Sequence, residues 1–500
     1  MPTVIHSSLP LWACLASLLA APVIVLFGRE PTLREATTFA AGLLKFGLVL
    51  AMLPWVLDGR TVEYTLIEGI GGIHAPIRFR VDGLGMLFAL VASSLWIVTS
   101  LYAVGYMRGL HEHSQTRFFA FFAISLSATL GVAFAGNLLT LYLFYEMLSL
   151  STWPLVTHHQ DKEARSGGRT YLAYLVGTSI GFALPALIYT WVKTGGEISF
   201  GPEGILASTD IGPAQGMILL LAFVFGFSKA GLMPFHSWLP AAMVAPTPVS
   251  ALLHAVAVVK VGVFCVIRVF TGVFGVDLLS RLGVATVISW IAGFTVLASS
   301  LIAMSQDNLK RRLAFSTIGQ LAYIVLGVSL LSGHAVQGSM MHIAMHAFGK
   351  ITLFFCAGAI FVATGRKYVS QLDGLGRRMP VTMAAFAIGA LSVTGLPPTG
   401  GLLSKFYLVW GAAEAHQPAL LAVYLISSVL NGVYFFPIIH RAFFRPPIDA
   451  GEDTPGTGCC AGEAPLACVV PLSITAVASV LLFFFPGLLY DLSALMTGGK

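Results

Sequence analysis

Charged residues are scarce in this sequence. Asp, Glu, Lys and Arg together make up 10% of its 500 residues, against about 25% in soluble globular domains. Hydrophobic residues reach 57%, which is more apolar surface than a soluble chain of this length could bury. The same composition excludes an intrinsically disordered chain. No dense basic run accompanies the net charge of +6, so we expect no nucleic-acid partner. We predict a protein that crosses the lipid bilayer many times.

Cysteine is also rare, and motifs for redox groups are missing. The six cysteines fit neither a disulfide framework nor a CxxC or CxxCH site, and we find no flavin, quinone or iron–sulfur motif. We therefore expect no cofactor, no metal ion and no redox chemistry in this chain. Cys459 and Cys460 form a vicinal pair in a polar loop, which we interpret as incidental rather than as a metal site.

Long apolar stretches are what the sequence has in abundance. Fourteen of them come near the ~20 residues that a helix needs to cross hydrocarbon. We predict an all-α polytopic membrane protein, because lipid cannot satisfy an open sheet edge, and we expect the gaps at 58–80, 194–211 and 441–464 to be loops. The first stretch lacks a basic leader and contains Pro22, so we expect a retained helix rather than a signal peptide. The predicted spans are 9–27, 36–57, 81–107, 117–136, 138–157, 171–193, 212–233, 249–270, 283–305, 314–332, 336–364, 381–413, 419–440 and 465–490.

The basic residues of the loops predict the orientation. Fourteen spans place 16 Lys and Arg residues on one face and 7 on the other. Cytoplasmic loops carry the excess of Lys and Arg, so the first face should be cytoplasmic. Both termini should then lie on the non-cytoplasmic side of the cell's inner (plasma) membrane.

Five charged residues fall deep inside the predicted spans, where a charge costs about 2.5–3.5 kcal/mol on insertion scales. A sixth, Lys45, lies close enough to a predicted helix end to snorkel to water. Snorkelling does not explain the five, and ionisable residues at this depth usually mark ion or proton pathways. They are Glu146, Lys229, Lys260, Lys350 and Lys405.

These groups have the chemistry of a proton relay. Desolvation disfavours the charged form of a buried lysine, and a nearby carboxylate opposes that tendency. Glu146 is the only acidic residue placed to pair with Lys229, so moving one of the two would switch the lysine between its protonated and neutral forms.

Histidines extend the relay, because imidazole carries protons near neutral pH. His254 lies six residues before Lys260, and His342, His346 and Lys350 are spaced four apart on one helix face. The alternative for any single histidine is a hydrogen-bonded core residue. His236, after Pro234, is interpreted as structural, and His158, His159 and His334 near loops carry little weight.

Two spans are interrupted by proline and glycine. The seventh contains Pro234 and Pro240, and the twelfth contains Pro397, Pro398 and Gly400. Broken backbone at membrane depth is tolerated only against protein or a wet cavity, and a pair of such breaks indicates an inverted repeat; ordinary proline kinks are the alternative. Five spans separate the breaks, which predicts two inverted five-helix units. The predicted divisions are 1–110 (helices 1–3), 117–270 (helices 4–8), 283–440 (helices 9–13) and 441–500 (a loop and helix 14).

The stretch FSKAGLMPFHSWLPAAMVAPTPVSALLHAVAVVKVGVF resembles the signature of the antiporter-like proton-translocating subunits found in respiratory complex I, in Mrp-type sodium/proton antiporters and in membrane-bound hydrogenases. The resemblance covers about residues 80–440. It implies fourteen helices, with helices 7 and 12 broken. It also implies roles for Glu146 as the fifth-helix glutamate, Lys229 as its partner, and Lys405 as the lysine of the exit half-channel. By the same resemblance, Lys260 with His254 is the connecting group of the eighth helix, and His342, His346 and Lys350 form the central polar stripe.

Within that family, GLGRRMPVTMAAFAIGALSVTGLPPTGGLLSKFYLVWGA is most similar to the D subunit of Mrp antiporters. The resemblance implies a component of a larger membrane complex that moves protons, exchanged for Na⁺ in an Mrp-type complex or driven by electron transfer elsewhere in complex I or a hydrogenase. Two other classes stay open on the residues alone. A haem-bearing oxidoreductase would need facing histidine pairs on neighbouring helices, and a scaffold that conducts nothing would not need the buried charges.

Overall fold

The computed structural model describes residues 3–69, 76–252, 256–447 and 462–497. His254 and the pair Cys459–Cys460 lie outside these residues. In the described part of the chain we number the α-helices α1 to α21. They are Leu9–Leu26, Pro31–Leu57, Gly83–Gly109, Gln115–Ala133, Leu138–Val156, Lys162–Thr178, Leu184–Lys193, Pro213–Gly226, Trp238–Ala241, Thr247–Leu252, Val258–Arg268, Val276–Leu282, Ala285–Ser305, Leu309–Ser329, Gly333–Thr364, Leu375–Arg378, Pro380–Thr394, Gly401–Glu414, Pro418–Phe444, Leu466–Phe484 and Gly487–Thr497.

The helices confirm a polytopic membrane protein. Ten helical spans among the described residues are long and apolar enough to cross a bilayer, or eleven if the pair Val258–Phe274 and Val276–Leu282, bent by 80°, is one span. Shorter apolar helices at Pro213–Gly226, Pro380–Thr394 and Gly487–Met496 add to these. Length and composition alone therefore do not establish fourteen spans, and that number stays a prediction.

A small sheet lies outside the membrane helices and corrects the expectation that the gap at 58–80 holds only a loop. Its strands are β1 Val4–His6, β2 Thr61–Ile67 and β3 Ile77–Val81, in the order β1-β2-β3. β1 pairs with β2 in parallel, and β2 pairs with β3 antiparallel. The alternating pattern of TVEYTLI suits a half-buried strand.

The two predicted breaks are present. Helix α8 ends at Gly226, a 3₁₀ turn covers Ser228–Ala230, and the backbone turns at Gly231 with φ +69°. Helix α17 ends at Thr394, Gly395 has φ +86°, and α18 begins at Gly401. Only glycine adopts such positive φ values at little cost.

Charged side chains lie inside the helical bundle and apolar side chains lie on its surface, as expected for a protein solvated by lipid. Large apolar side chains are exposed around the helices, for example those of Leu26, Ile218 and Val429. Lys229, Lys260 and Lys350 are fully buried. Helix α15 lies centrally, packing against α3, α10, α14, α17, α18 and α20, and the groups on its polar face therefore face the interior of the bundle.

Candidate proton pathway

Lys229 lies in the 3₁₀ turn at the first break. Its ammonium donates to the carbonyl of Tyr145 at 2.9 Å and to Oγ of Ser149 at 2.6 Å, and it lies 3.1 Å from the centroid of the Tyr145 ring. Both partners belong to α5. The broken backbone thus holds a fully buried ammonium against oxygen atoms of a neighbouring helix.

Glu146 lies between these two partners in sequence but does not itself contact the lysine. Its side chain is half-buried, and its Oε1 has no hydrogen-bond partner in the described structure. Glu146 and Lys229 were predicted to interact directly or through one water, and the direct ion pair is not formed among the described residues. The carboxylate belongs to the residue next to Tyr145, whose carbonyl the ammonium binds.

Lys260 and His346 form the closest link in the interior. Nζ of Lys260, on α11, lies 2.6 Å from Nδ1 of His346 on α15. The rings of His346 and His342 are stacked with centroids 5.7 Å apart. Nε2 of His346 is buried without a hydrogen-bond partner among the described residues. One nitrogen of this imidazole therefore contacts the lysine, and the other makes no hydrogen bond to the described residues.

His342 connects α15 to the second break. Its Nδ1 lies 2.9 Å from Oγ of Ser404, and its Nε2 lies 3.1 Å from Oε1 of Gln320. Because an amide oxygen only accepts, the proton of the neutral ring lies on Nε2, and Nδ1 accepts from the Ser404 hydroxyl. Ser404 precedes Lys405, so the imidazole reaches the residue next to the last lysine.

Lys405 is bound at the broken end of α17. Its Nζ donates to the carbonyl of Thr394 at 3.0 Å and to Oγ of Ser428 at 3.2 Å, and it lies 4.8 Å from the centroid of the Tyr323 ring. That ring stacks on His342 with centroids 5.8 Å apart. Thr394 and Ser428 also line a groove of about 800 Å³ that runs to His440, so the lysine lies beside a lateral opening.

Lys350 departs from the histidine line. Its Nζ donates to Oγ of Ser316 at 2.7 Å, and the Tyr434 hydroxyl donates to the same oxygen at 2.9 Å. Tyr434 also contacts Oδ1 of Asn431. Lys350 therefore begins a hydroxyl branch toward α19 that the sequence analysis did not foresee, as it did not foresee Gln320 and Ser404.

The snorkelling expected of Lys45 is wrong. The side chain is fully buried, its Nζ donates to the carbonyl of Leu126 at 2.9 Å, and it lies 5.0 Å from the Trp96 ring centroid. Lys45 is the fifteenth of the 27 residues of α2, so neither end of the helix is within reach of its side chain.

The structure thus brings Lys260, His346 and His342 into one line that ends beside Lys405. Lys229 shares no hydrogen bond with Lys260 in the described part of the chain, although Gly262 packs α11 directly onto the backbone of Lys229 and Ala230. His342 and His346 occupy one helix and therefore do not form the facing pair on neighbouring helices that the haem alternative requires, and their bonded nitrogens contact Lys260, Gln320 and Ser404.

A helical membrane bundle with protonatable side chains in its dry interior defines a class, the ion-translocating membrane subunits. The family model described as NADH:quinone oxidoreductase/Mrp antiporter matches residues 135–431, and the model described as NADH-Ubiquinone oxidoreductase (complex I), chain 5 N-terminus, matches residues 67–119. The chain belongs to this family of antiporter-like, proton-translocating subunits, which confirms the resemblance seen in the sequence.

Relatives carry names from both branches of the family. The N subunit of the NADH-quinone oxidoreductase of Desulforudis audaxviator is 31% identical over 93% of this chain and 94% of its own length. The A/B subunit of a probable K⁺/H⁺ antiporter of Rhizobium meliloti is 33% identical over 83% of this chain and 42% of its length. The A subunit of a Na⁺/H⁺ antiporter of Alkalihalophilus pseudofirmus is 31% identical over 89% and 58%. This chain thus spans about half the length of the two antiporter relatives.

Two solved structures share the fold. A chain of the Mrp complex from Dietzia sp. superposes with a TM-score of 0.84 at 22% identity, covering 98% of this chain and 96% of that chain. A chain of an archaeal membrane-bound sulfane sulfur reductase superposes with a TM-score of 0.83 at 23% identity, covering 98% and 97%. Both are subunits of multisubunit membrane complexes.

Proposed function

We propose that this chain moves protons through the membrane along Lys229, Lys260, His346, His342 and Lys405. The observation that carries the proposal is the 2.6 Å contact between Lys260 Nζ and His346 Nδ1 in a fully buried part of the bundle. Donor and acceptor at that distance are poised for transfer, and ionisable groups at this depth are otherwise costly.

The transfer itself needs no covalent intermediate. A proton on Lys260 passes to Nδ1 of His346 as the N–H bond of the lysine breaks and that of the imidazole forms. The unpartnered Nε2 of His346 then releases a proton toward His342. His342 accepts it at Nδ1 once the Ser404 hydroxyl turns its hydrogen to the Gly401 carbonyl, 3.2 Å away, and then passes a proton through that hydroxyl toward Lys405, beside the lateral groove. Two further residues of the sequence analysis remain part of the proposal: His254, which lies outside the described residues, as the group between Lys229 and Lys260, and Lys350 as a branch of this line.

Glu146 has a charge-setting role in this proposal. A carboxylate close to the acceptors of Lys229 stabilises the protonated lysine, and loss of that charge favours the neutral form. The two five-helix units at 117–270 and 283–440 would each supply one half-channel, with one break in each.

We further propose that the parent complex is an Mrp-type monovalent cation (Na⁺)/proton antiporter, in which this chain is the D subunit. The motif around Lys405 and the antiporter names of two relatives support this assignment. The second candidate is the proton-pumping part of a NADH:quinone oxidoreductase, which is favoured by the relative named as its N subunit, since that relative aligns over nearly its whole length.

Everted membrane vesicles containing the complete parent complex test both proposals. Proton movement is followed by a pH-sensitive dye, once after a Na⁺ pulse and once after NADH. A response to Na⁺ without NADH supports the antiporter, and a response to NADH alone supports the second candidate.

Lys260→Met is the decisive variant, because it keeps the length of the side chain and removes its proton. Lys45→Met is the matched control, a fully buried membrane lysine that lies off the proposed line. We expect Lys260→Met to abolish proton movement and Lys45→Met to retain most of it. Full activity in Lys260→Met, with the variant assembled, would contradict the pathway.

A further inference from the structure

Three histidines and one glutamate meet where the turn between α3 and α4 approaches the end of α5. Oε2 of Glu112 lies 3.9 Å from Nδ1 of His113, 3.8 Å from Nε2 of His158 and 3.6 Å from Nδ1 of His159. The ligand atoms of Glu112, His113 and His158 all lie within 4.8 Å of one another. One carboxylate oxygen is thus shared by three imidazoles outside the proton pathway.

His158 is the unusual member of this cluster. It is fully buried, and neither of its ring nitrogens has a hydrogen-bond partner among the described residues. Buried polar groups in native proteins are nearly always paired, so an imidazole that is buried with two unused nitrogens lacks a ligand. Its Nε2 is aimed at the Glu112 carboxylate.

His113 is held in the tautomer that suits a metal ligand. Its Nε2 lies 3.1 Å from the carbonyl of His158, and a carbonyl only accepts, so Nε2 carries the hydrogen. In the neutral ring Nδ1 is then the atom that can coordinate, and it lies 3.9 Å from Oε2 of Glu112. Metal-binding histidines typically donate their other N–H to a carbonyl in this way.

We propose that Glu112, His113 and His158 bind a divalent transition-metal ion of the Zn²⁺ class, with the fourth coordination position left to water. Two imidazole nitrogens and one carboxylate oxygen are the protein ligands of one established type of Zn²⁺ site, with ligand bonds of about 2.0–2.2 Å. Such bonds place ligand atoms roughly 3.3–3.5 Å apart. The three ligand atoms, which all lie within 4.8 Å of one another, need to move together by about 1 Å or less to reach that spacing.

The ion would join two parts of the chain. Glu112 and His113 belong to the turn after α3, whereas His158 and His159 follow α5, the helix that carries Glu146. The proposed site therefore fixes one end of α5, and it replaces the expectation from the sequence that these histidines are without weight and that the chain binds no metal.

Arg117 supplies a directional test, because its guanidinium donates to the carbonyl of His158 at 2.8 Å and its positive charge opposes a bound cation. Arg117→Gln should therefore tighten Zn²⁺ binding several-fold. Unchanged or weaker binding in this variant, with the protein folded, would contradict the proposed position of the ion.

The central experiment measures zinc on the full chain within its complex, purified through a tag without histidine, stripped with a chelator and titrated with Zn²⁺ alone. We expect one Zn²⁺ per chain in the wild type, and weakening of at least about tenfold in Glu112→Gln and in His113→Ala. The side chain of His113 is 53% exposed, so its loss does not threaten the fold.

The double variant His334→Ala with Glu414→Gln is the matched control. It removes an exposed His–Glu pair with a contact of 3.0 Å, and it should bind zinc as the wild type does. Less than about a tenth of an ion per chain in the wild type, or equal zinc in all variants, overturns the proposal.

Discussion

At the scale of single residues, Lys405 is held by groups that bind an ammonium without neutralising it. The Thr394 carbonyl at the end of α17, the Ser428 hydroxyl and the face of Tyr323 surround its Nζ. A carbonyl left free by a helix break is a strong acceptor. These contacts fix the position of the side chain, but none of them carries a negative charge that would retain its proton.

Replacing Lys405 should reveal dependence on titration rather than on size. Lys405→Ala and Lys405→Met are expected to lose proton-coupled transport in vesicles, since neither carries a proton. Lys405→Glu should keep part of it, because a buried carboxyl can also exchange protons. Full activity of Lys405→Met would make the residue structural, and the exit would have to lie elsewhere.

A second residue-scale prediction concerns Glu146, for which we propose an action on Lys229 by charge and not by contact. Glu146→Gln keeps the shape and removes the charge, so we expect transport to fall strongly while the amount of assembled complex is unchanged. The vesicle assay and a native gel measure these two quantities. Glu414→Gln, at an exposed position, is the control and should behave as wild type. A Glu146→Gln variant as active as this control would exclude the charge-setting role.

The sequence predicted the lysines of the pathway because a charge in an apolar helix stands out. It did not predict Gln320, Ser404, Ser316 and Tyr434, because such residues are common in membrane helices and only their distance to a lysine or histidine distinguishes these four. Lys45 was misjudged because the sequence does not show which helices cover it, and its ammonium meets the Leu126 carbonyl and the Trp96 ring of neighbouring helices instead of water.

At the scale of elements, proline and glycine predicted both breaks correctly, since the backbone rule behind them is local. The strands β2 and β3, which pair with each other, were missed because hydropathy alone marks 58–80 as a polar gap, and β1 was missed because its pairing partner β2 lies far away in the sequence. The approach of α11 to the first break could not be predicted either, because it depends on which helix packs against Gly262.

Gly262→Ala tests that packing. A Cβ at this position would collide with the backbone of Lys229 and Ala230, and overpacking of this kind costs about 1–3 kcal/mol. We expect a lower unfolding temperature of the purified complex and reduced transport through a displaced Lys229. Gly177→Ala is the control, since nothing lies within 4 Å of that added carbon and alanine favours a helix. Equal stability of the two variants would mean that the close contact is not needed.

At the scale of the whole molecule, the orientation still rests on the count of basic residues, 16 against 7. We predict that the 366–378 loop, where Arg441 donates to Asp373 at 2.6 Å, is cytoplasmic. Reporter fusions or cysteine labelling in that loop show directly on which side of the membrane it lies. A fusion at the N-terminus should report the opposite, non-cytoplasmic side. Labelling of the loop from the outside of intact cells would reverse the assignment.

The five buried lysines of the membrane helices share one property, which is that their ammonium groups bind carbonyls, hydroxyls or an imidazole and none forms an ion pair with a carboxylate in the described structure. Like charges repel strongly where water is excluded. The interior therefore cannot hold all of its lysines in the protonated form at the same time. A proton that enters at one lysine raises the electrostatic cost at the next, and its arrival drives the departure of another. Along the proposed line, which leaves out Lys45, protons are therefore expected to move as a concerted shift from one group to the next and not by independent charging of each lysine.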